Sequence, residues 1–307
     1  MRLHPTGKFD NSALPTRFIE VKPLAAAMGA EIGGVSIADM SGDAFAEVRQ
    51  ALFRHKMIFF RGQKLSHAEH ERFSLGFGPF AEDAYTAGVP DHLAVQPVIK
   101  EADDRSKMVF GSGWHTDSPF LPQPPASTSL RSVKVPPFGG DTIWANSALA
   151  YAMLSDAYRQ MISDLRVHFS MRDVLQAAQT SVELRDSPMG RLAATRNLEH
   201  LPEHIQRKVE GSCHPIVRTH PVTGEKALYV DGTYAIGIEG MPDEEAQPIL
   251  SFLRTFLVQH EFTCPLRWEP DTVVVWDNRL CVHQAFNDYQ GHRRELYRTT
   301  VAGETPS

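Results

Sequence analysis

The stretch Gly113-Trp-His-Thr-Asp-Ser-Pro-Phe120 sets an imidazole, His115, two residues before a carboxylate, Asp117. On a strand, residues i and i+2 face the same way, so the pair can hold one ion without strain. Alone the triplet decides nothing: with 14 histidines in 307 residues, about one His-x-Asp is expected by chance. A third ligand must come from elsewhere, and His283 is the best placed. It follows the apolar run Val273-Val-Val-Trp276 and the tight Asp277-Asn278 turn, so it can sit inward on the next strand. Two histidines and one carboxylate form the facial arrangement that binds non-haem Fe(II) and leaves coordination positions open. Further on, Arg294 and Arg298 share one face if the segment RRELYRTT is a strand. Inward arginines are costly to bury unless anions meet them, and their paired N–H donors match carboxylate oxygens. One metal beside two inward guanidiniums suits a dianionic cosubstrate and an anionic substrate.

Each residue also has a plainer reading. His115 and Asp117 could be a hydrogen-bonded loop pair, His283 a satisfied core histidine, and Arg294 half of a structural ion pair. Only their joint order argues for a site. Cys281 shares His283's strand face but reads as a small packing residue, and Trp114 and Trp276 read as core and wall. His200-Leu-Pro-Glu-His204 matches the H-x-x-E-H of zinc peptidases, which needs both histidines on one continuous helix. Pro202 belongs in a first turn, leaving His200 outside any such helix, so the peptidase is rejected. A protein that holds a metal and a ligand without turnover is the third possibility.

The elements that must position these residues are legible in outline. Ser41 to His55 has Phe45, Val48, Leu52 and Phe53 at helical spacing. Met57–Phe60 reads as a short buried strand, and Ser66 caps a helix running towards Gly76. Ser127–Val135 alternates as a strand, the Gly139-Gly-Asp turn leads into a strand through Trp144, and Asn146 or Ser147 caps a helix reaching roughly Leu165. Strands are expected near Arg166–Met171, Pro215–Thr219, Ala227–Val230, Thr272–Trp276, Leu280–Phe286 and Glu295–Val301, with an amphipathic helix over Asp243 to His260. Many short strands, interspersed helices and no Rossmann glycine pattern predict a mostly β fold, a sandwich or jelly roll with helices packed outside. Residues 1–16 read as a loose arm, and the long polar segment 172–199 as a lid over the site. No repeat or long linker divides residues 1–307, so one domain is expected. The chain is 42% apolar with a net charge of −6. It can bury a large core, and it has neither a basic stripe for nucleic acid nor a polybasic membrane patch. No apolar run approaches a membrane span. Cys213, Cys264 and Cys281, without C-x-x-C spacing, suit a reducing cytoplasm rather than a disulfide frame.

The ordered motifs resemble those of the taurine dioxygenase family of Fe(II)/2-oxoglutarate oxygenases, which includes the aryloxyalkanoate dioxygenases. They are W-H-T-D at Trp114–Asp117, G-G-D-T at Gly139–Thr142, W-D-N-R at Trp276–Arg279, His283, and R-x-x-x-R-x-T at Arg294–Thr300. The resemblance runs from about Val21 to Gly303. It implies a double-stranded β-helix, the jelly roll, in which His115, Asp117 and His283 hold Fe(II). It implies that Thr142 and Arg294 bind the distal carboxylate of the cosubstrate 2-oxoglutarate. Arg298 matches the position that faces the substrate's anionic group, with Ser118 on the substrate side beside the acidic ligand. The implied reaction uses O2 to hydroxylate a C–H of a small carboxylate or sulfonate, releasing succinate and CO2. A hydroxylated carbon that bears a sulfonate or ether oxygen would collapse to a carbonyl. Relatives that use sulfonates carry a histidine soon after the F-G-x that ends the second helix. Here Phe77-Gly-Pro-Phe80 is followed by Ala81-Glu-Asp-Ala84, which speaks against taurine itself. Gly111–Gly113 and Arg218-Thr-His-Pro221 look closer to the aryloxyalkanoate members. A homo-oligomer is also implied.

Overall fold

Two short strands, β1 (Glu20–Pro23) and β2 (Ala30–Gly33), pair antiparallel at the start of the computed structural model, which describes residues 9–82, 88–106, 111–180 and 203–307. Helix α1 (Gly42–His55) begins where the Ser41 side chain accepts from the Ala44 N–H, and it ends with Arg54 and His55 in its last turn. Lys56, at φ 66°, turns the chain straight into β3 (Met57–Phe60). Helix α2 (His67–Leu75) opens on a reciprocal capping box between Ser66 and Glu69. After it come β4 (Gln96–Lys100), β5 (Ser127–Lys134) and β6 (Thr142–Asn146).

The helix expected from Asn146 to Leu165 is two helices, α3 (Ser147–Met153) and α4 (Asp156–Ile162). Leu154 is extended at ψ 149°, and Ser155 caps α4 by accepting from the Tyr158 N–H. A Ser-Asp start signal here outweighs the continuing apolar spacing. The chain continues through β7 (Arg166–Phe169), α5 (Arg172–Thr180), α6 (Glu203–Glu210), β8 (Ser212–Pro215), β9 (Val217–Thr219) and β10 (Lys226–Leu228). The single strand expected over Pro215–Thr219 is therefore split, β8 pairing with β7 and β9 with β10. Of the segment 172–199, α5 is described and 181–199 lie outside the described residues, as do residues 1–8 of the expected arm. The remaining elements are β11 (Ala235–Ile238), α7 (Asp243–Leu257), β12 (Thr263–Leu266), β13 (Val273–Asp277), β14 (Cys281–Ala285) and β15 (Arg294–Val301).

A large sheet runs β1-β2-β3-β13-β5-β15-β4, and a smaller one runs β12-β6-β14. Every residue of β13 is buried, which is why its sequence is a continuous apolar run rather than an alternation. On one face, Val273 and Val275 join Ile58 and Phe60 under Val48 and Leu52 of α1 and Phe73 of α2. On the other, Val274, Trp276 and Leu296 meet Trp144, Leu266 and Cys281 of the smaller sheet. The protein is thus mostly β, a jelly roll of two facing sheets with helices outside. Between β13 and β14 the chain changes sheets at the Asn278–Leu280 turn, and that crossing delivers His283 to the space between them.

Candidate active site

His115 reaches this space from a loop, not from the strand expected. Its backbone pairs only with that of His283, N–H to carbonyl in both directions at 2.9 and 2.7 Å, and Asp117 lies beyond that bridge in a bend. What aims Asp117 is therefore the loop's anchoring. Asp231 Oδ1 accepts from the N–H groups of Thr233, Tyr234 and Ala235 at 3.0, 2.7 and 3.1 Å, while its Oδ2 accepts from Thr116 N–H at 3.4 Å. Thr116 Oγ1 donates to the Asn278 carbonyl at 2.9 Å. Ser118, at φ 46°, turns the chain directly after the carboxylate.

Among the described residues, His115, Asp117 and His283 form the one His/Cys/Asp/Glu group whose candidate ligand atoms all lie within 4.8 Å of one another. His115 Nδ1 donates to the Gly113 carbonyl at 2.8 Å. That fixes the tautomer and leaves Nε2, 3.9 Å from Asp117 Oδ1, as the donor atom. His283 lies against the indoles of Trp144 and Trp276, and its buried Nδ1 has no hydrogen-bond partner. Burial, with His115 close by, pushes its pKa down to about 3. The ring is neutral, as a metal ligand must be. Burial works against charge on Asp117 too, but its surroundings, the Arg298 guanidinium and the Thr128 hydroxyl among them, outweigh it and hold the carboxyl below its usual range. Thr128 Oγ1 donates to Asp117 Oδ2 at 2.5 Å and accepts from Asn278 Nδ2 at 2.9 Å, while Asn278 Oδ1 accepts from Trp276 Nε1 at 2.8 Å. Two neutral imidazoles and one oriented carboxylate fit a divalent iron-type ion with positions left open.

One cavity gathers nearly all of the residues expected at the site. It is lined by His115, Asp117, His283, Thr142, Arg294 and Arg298, together with Val98, Gly111, Leu130, Trp276 and Ala285. Ser118 is buried beside Asp117 but is not part of this lining. Thr142 opens β6 and Arg294 opens β15, so the two facing sheets bring them together. Trp268 Nε1 donates to Thr142 Oγ1 at 3.0 Å, which leaves the threonine's own hydrogen to donate elsewhere. Arg294, Leu296 and Arg298 are buried while Glu295 and Tyr297 are half-buried, as the strand period required. The Nε and Nη2 of Arg294 are buried with no hydrogen-bond partner, and the rings of Trp268 and Tyr289 lie 5.7 and 5.9 Å from its Cζ. A buried guanidinium with two unfilled donors fits a carboxylate. Arg298 donates from Nε and Nη2 to Gln96 Oε1 at 3.0 and 2.7 Å, and its Nη1 is 3.5 Å from Asp117 Oδ1. Trp268, Thr128, Asp231 and Gln96 carry no signal in the sequence, since each comes from a different element. Asn278 lay in a recognised motif without a visible role.

His200 lies outside the described residues, and His204 is on α6, which is described over Glu203–Glu210. Among the described residues no helix is long and apolar enough to cross a membrane. Residues 20–300 match the family described as taurine catabolism dioxygenase TauD, TfdA. An alpha-ketoglutarate-dependent sulfate ester dioxygenase from Pseudomonas putida is 34% identical over 295 residues, covering 94% of this chain and 91% of its own. An alkylsulfatase from Acinetobacter baylyi is 30% identical over 94% of this chain and 87% of its own. The crystal structure of a taurine dioxygenase from Burkholderia xenovorans has a TM-score of 0.76 and 33% identity over 94% of this chain and 93% of that one. The facing sheets, the His/Asp/His group and these likenesses agree: the chain belongs to the TauD, TfdA family and is a 2-oxoglutarate-dependent dioxygenase.

Proposed function

We propose that this enzyme hydroxylates a C–H bond of a small organic anion, with alkyl sulfate esters the first class to test. His115, Asp117 and His283 would hold Fe(II), and Thr142 and Arg294 the distal carboxylate of 2-oxoglutarate. The observation that carries this reading is a pair of buried guanidiniums in one cavity, Arg298 beside Asp117 and Arg294 beside Thr142. The unfilled N–H groups of Arg294 are costly there without an anion to meet them, while Arg298, already beside Asp117, adds a second cation to the same cavity. Bound iron would supply oxygen activation, driven by oxidation of 2-oxoglutarate to succinate and CO2. The chain's own residues bind and orient. The Thr128 hydroxyl holds Asp117 in its ionised form, the Gly113 carbonyl keeps a proton on His115 Nδ1, and Arg298 turns the substrate's anionic group towards the same centre. Leu130, Val98 and Trp276 keep water from the cavity wall. With a sulfate ester, hydroxylation of the carbon bearing the ester oxygen gives a hemiacetal-like sulfate. That species breaks its C–O bond to leave an aldehyde and free sulfate. The relatives named for sulfate ester and alkylsulfatase activity support this class over taurine. The reading treats residues 1–307 as one catalytic domain and places it in a reducing cytoplasm, which three free thiols support.

The test is succinate formation with Fe(II), ascorbate and air, run with hexyl sulfate, hexyl sulfonate, an aryloxyacetate and hexan-1-ol. His283→Ala serves as the blank. An anionic compound should stimulate succinate release most, with sulfate and hexanal appearing in step if it is the ester. Arg298→Ala should raise its KM at least tenfold. If hexan-1-ol is the best substrate and Arg298→Ala turns it over unchanged, the anionic class is wrong.

A further inference from the structure

Behind Arg294, outside the lining of the cavity, lies a second buried cation. Strand β4 is an edge strand, and its last residue, Lys100, stands directly opposite Arg294 of β15 in the antiparallel register. Both are buried, at 5% and 4% exposure. They share one aromatic neighbour: Lys100 Nζ is 4.9 Å and Arg294 Cζ 5.9 Å from the ring centre of Tyr289, itself fully buried. Like charges directly opposite one another weaken an antiparallel pair, and burial increases that cost. In most proteins a carboxylate sits between such groups. Here the Lys100 ammonium donates to two neutral amide oxygens, Asn287 Oδ1 at 2.6 Å and Gln290 Oε1 at 3.3 Å. Neither cation forms an ion pair with a carboxylate among the described residues, and two N–H groups of Arg294 remain unfilled. Neutral acceptors fix the ammonium in place, and the carboxylates whose charge reaches the pair, Asp104 for Lys100 and Asp141 for Arg294, act without a direct ion pair.

We propose that Lys100 is a second cationic determinant of cosubstrate binding, which makes the site select a 2-oxo acid with a distal carboxylate over one without. This rests on the reading that Arg294 and Thr142 receive that carboxylate. Arg294 and Thr142 supply the direct contacts. Lys100 is a positioning and specificity residue: it adds charge behind Arg294 and ties down the 287–290 loop that carries Tyr289. A carboxylate bound at Arg294 offsets the repulsion within the cross-strand pair. Lys100 could instead be only a staple for that loop, and the two roles predict different results.

The experiment is calorimetric titration of the Mn(II)-loaded protein, without oxygen, with 2-oxoglutarate and with 2-oxovalerate, which keeps the chelating 2-oxo acid but lacks the distal carboxylate. The wild type should bind 2-oxoglutarate much more tightly. Lys100→Met should weaken 2-oxoglutarate at least fivefold and leave 2-oxovalerate within twofold, so that the ratio of the two affinities collapses. Lys100→Arg should restore that ratio. Lys100→Gln, which keeps a polar group for the loop, is read in the same way should the methionine variant fail to fold. Equal weakening of both ligands, or of neither, overturns the proposal and leaves Lys100 a staple, with the Arg294 reading intact. A wild type that does not distinguish the two ligands overturns the Arg294 and Thr142 reading, and the role of Lys100 with it.

Discussion

Asp117 is held more elaborately than either histidine, and the reason lies in its chemistry. A carboxylate has two oxygens and rotates freely, so it needs a donor on the oxygen that does not face the metal. Thr128 supplies that donor, fixed in turn by Asn278 and, behind it, by the indole of Trp276. Thr128→Val keeps the shape and removes the hydrogen bond. Loss of such a supporting partner typically costs about 10–100-fold in metal affinity, and that is the expected result in a competition titration with Mn(II). Affinity within twofold of wild type would show that the chain of hydrogen bonds is dispensable. At the other end of the cavity, if Thr142 binds the distal carboxylate as proposed, Thr142→Val removes one hydroxyl donor to a charged group, a bond of about 1.5–3 kcal/mol. The KM for 2-oxoglutarate should rise roughly tenfold or more while the KM for the organic substrate stays put. A change in the second KM alone would move Thr142 to the substrate side.

Strands and loops share the work of placing these residues unequally. β13, β14 and β15 bring in Trp276, His283, Arg294 and Arg298; β13 was legible as a fully apolar run and β15 from its two-residue period, while β14 was read from the Asp277-Asn278 turn before it. The loop that brings His115 and Asp117 was not legible as a loop. Its course depends on Asp231, more than a hundred positions away, whose carboxylate gathers N–H groups from its own turn and from Thr116. Nothing local in the sequence announces such an anchor. The broken helix at Leu154 and the edge strands β1 and β4 were missed for a related reason: a cap or a pairing partner decided them against, or without, the apolar pattern. Burial raises the pKa of Asp231 against the pull of its backbone donors and of His115, so its value lies in the acceptors more than in the charge. Asp231→Asn, which keeps one acceptor oxygen, should therefore melt close to wild type. Asp231→Ala leaves several buried N–H groups unsatisfied, at about 1–3 kcal/mol each, and should lose stability and metal affinity together. Equal damage from both substitutions would place the function of Asp231 in its charge.

The whole molecule carries a pH dependence that its iron-type site does not explain. His55, His70 and His214 are buried, at 1%, 0% and 2% exposure, and their pKa values are pushed down to about 4, 3 and 4. Burial is the main cause in each, and nearby cations add to it: Arg54 and Lys56 for His55, Arg131 for His70, Arg218 for His214. The rings also hydrogen-bond Asn11, Ser129 and the Leu121 carbonyl, and the bonds to Ser129 and Leu121 pull the other way but are outweighed. In the unfolded chain the same rings titrate near 6.5. Between about pH 6.5 and 4 these three rings therefore let the unfolded state bind up to three more protons than the native state, and His283 adds a fourth when no metal holds it; stability falls as pH falls through that window. The slope approaches about 1.4 kcal/mol per pH unit for each histidine, enough for the three together to exhaust a typical domain stability before pH 4. Asp277 acts in a lower window. Burial opposes its charge, but Arg279 and His220 hold its carboxyl well below the usual carboxylate range, so its contribution is lost only below about pH 4. Urea unfolding of metal-free His283→Ala protein, which removes the site's own buried ring, should thus show a midpoint that drops steeply from pH 6.5 to 5, with two to three protons taken up on unfolding. His214→Asn should remove one of those protons and flatten the slope by a third. A flat midpoint across that range would mean that these rings titrate normally in the folded protein, and that the interior holding them is far wetter than its packing indicates.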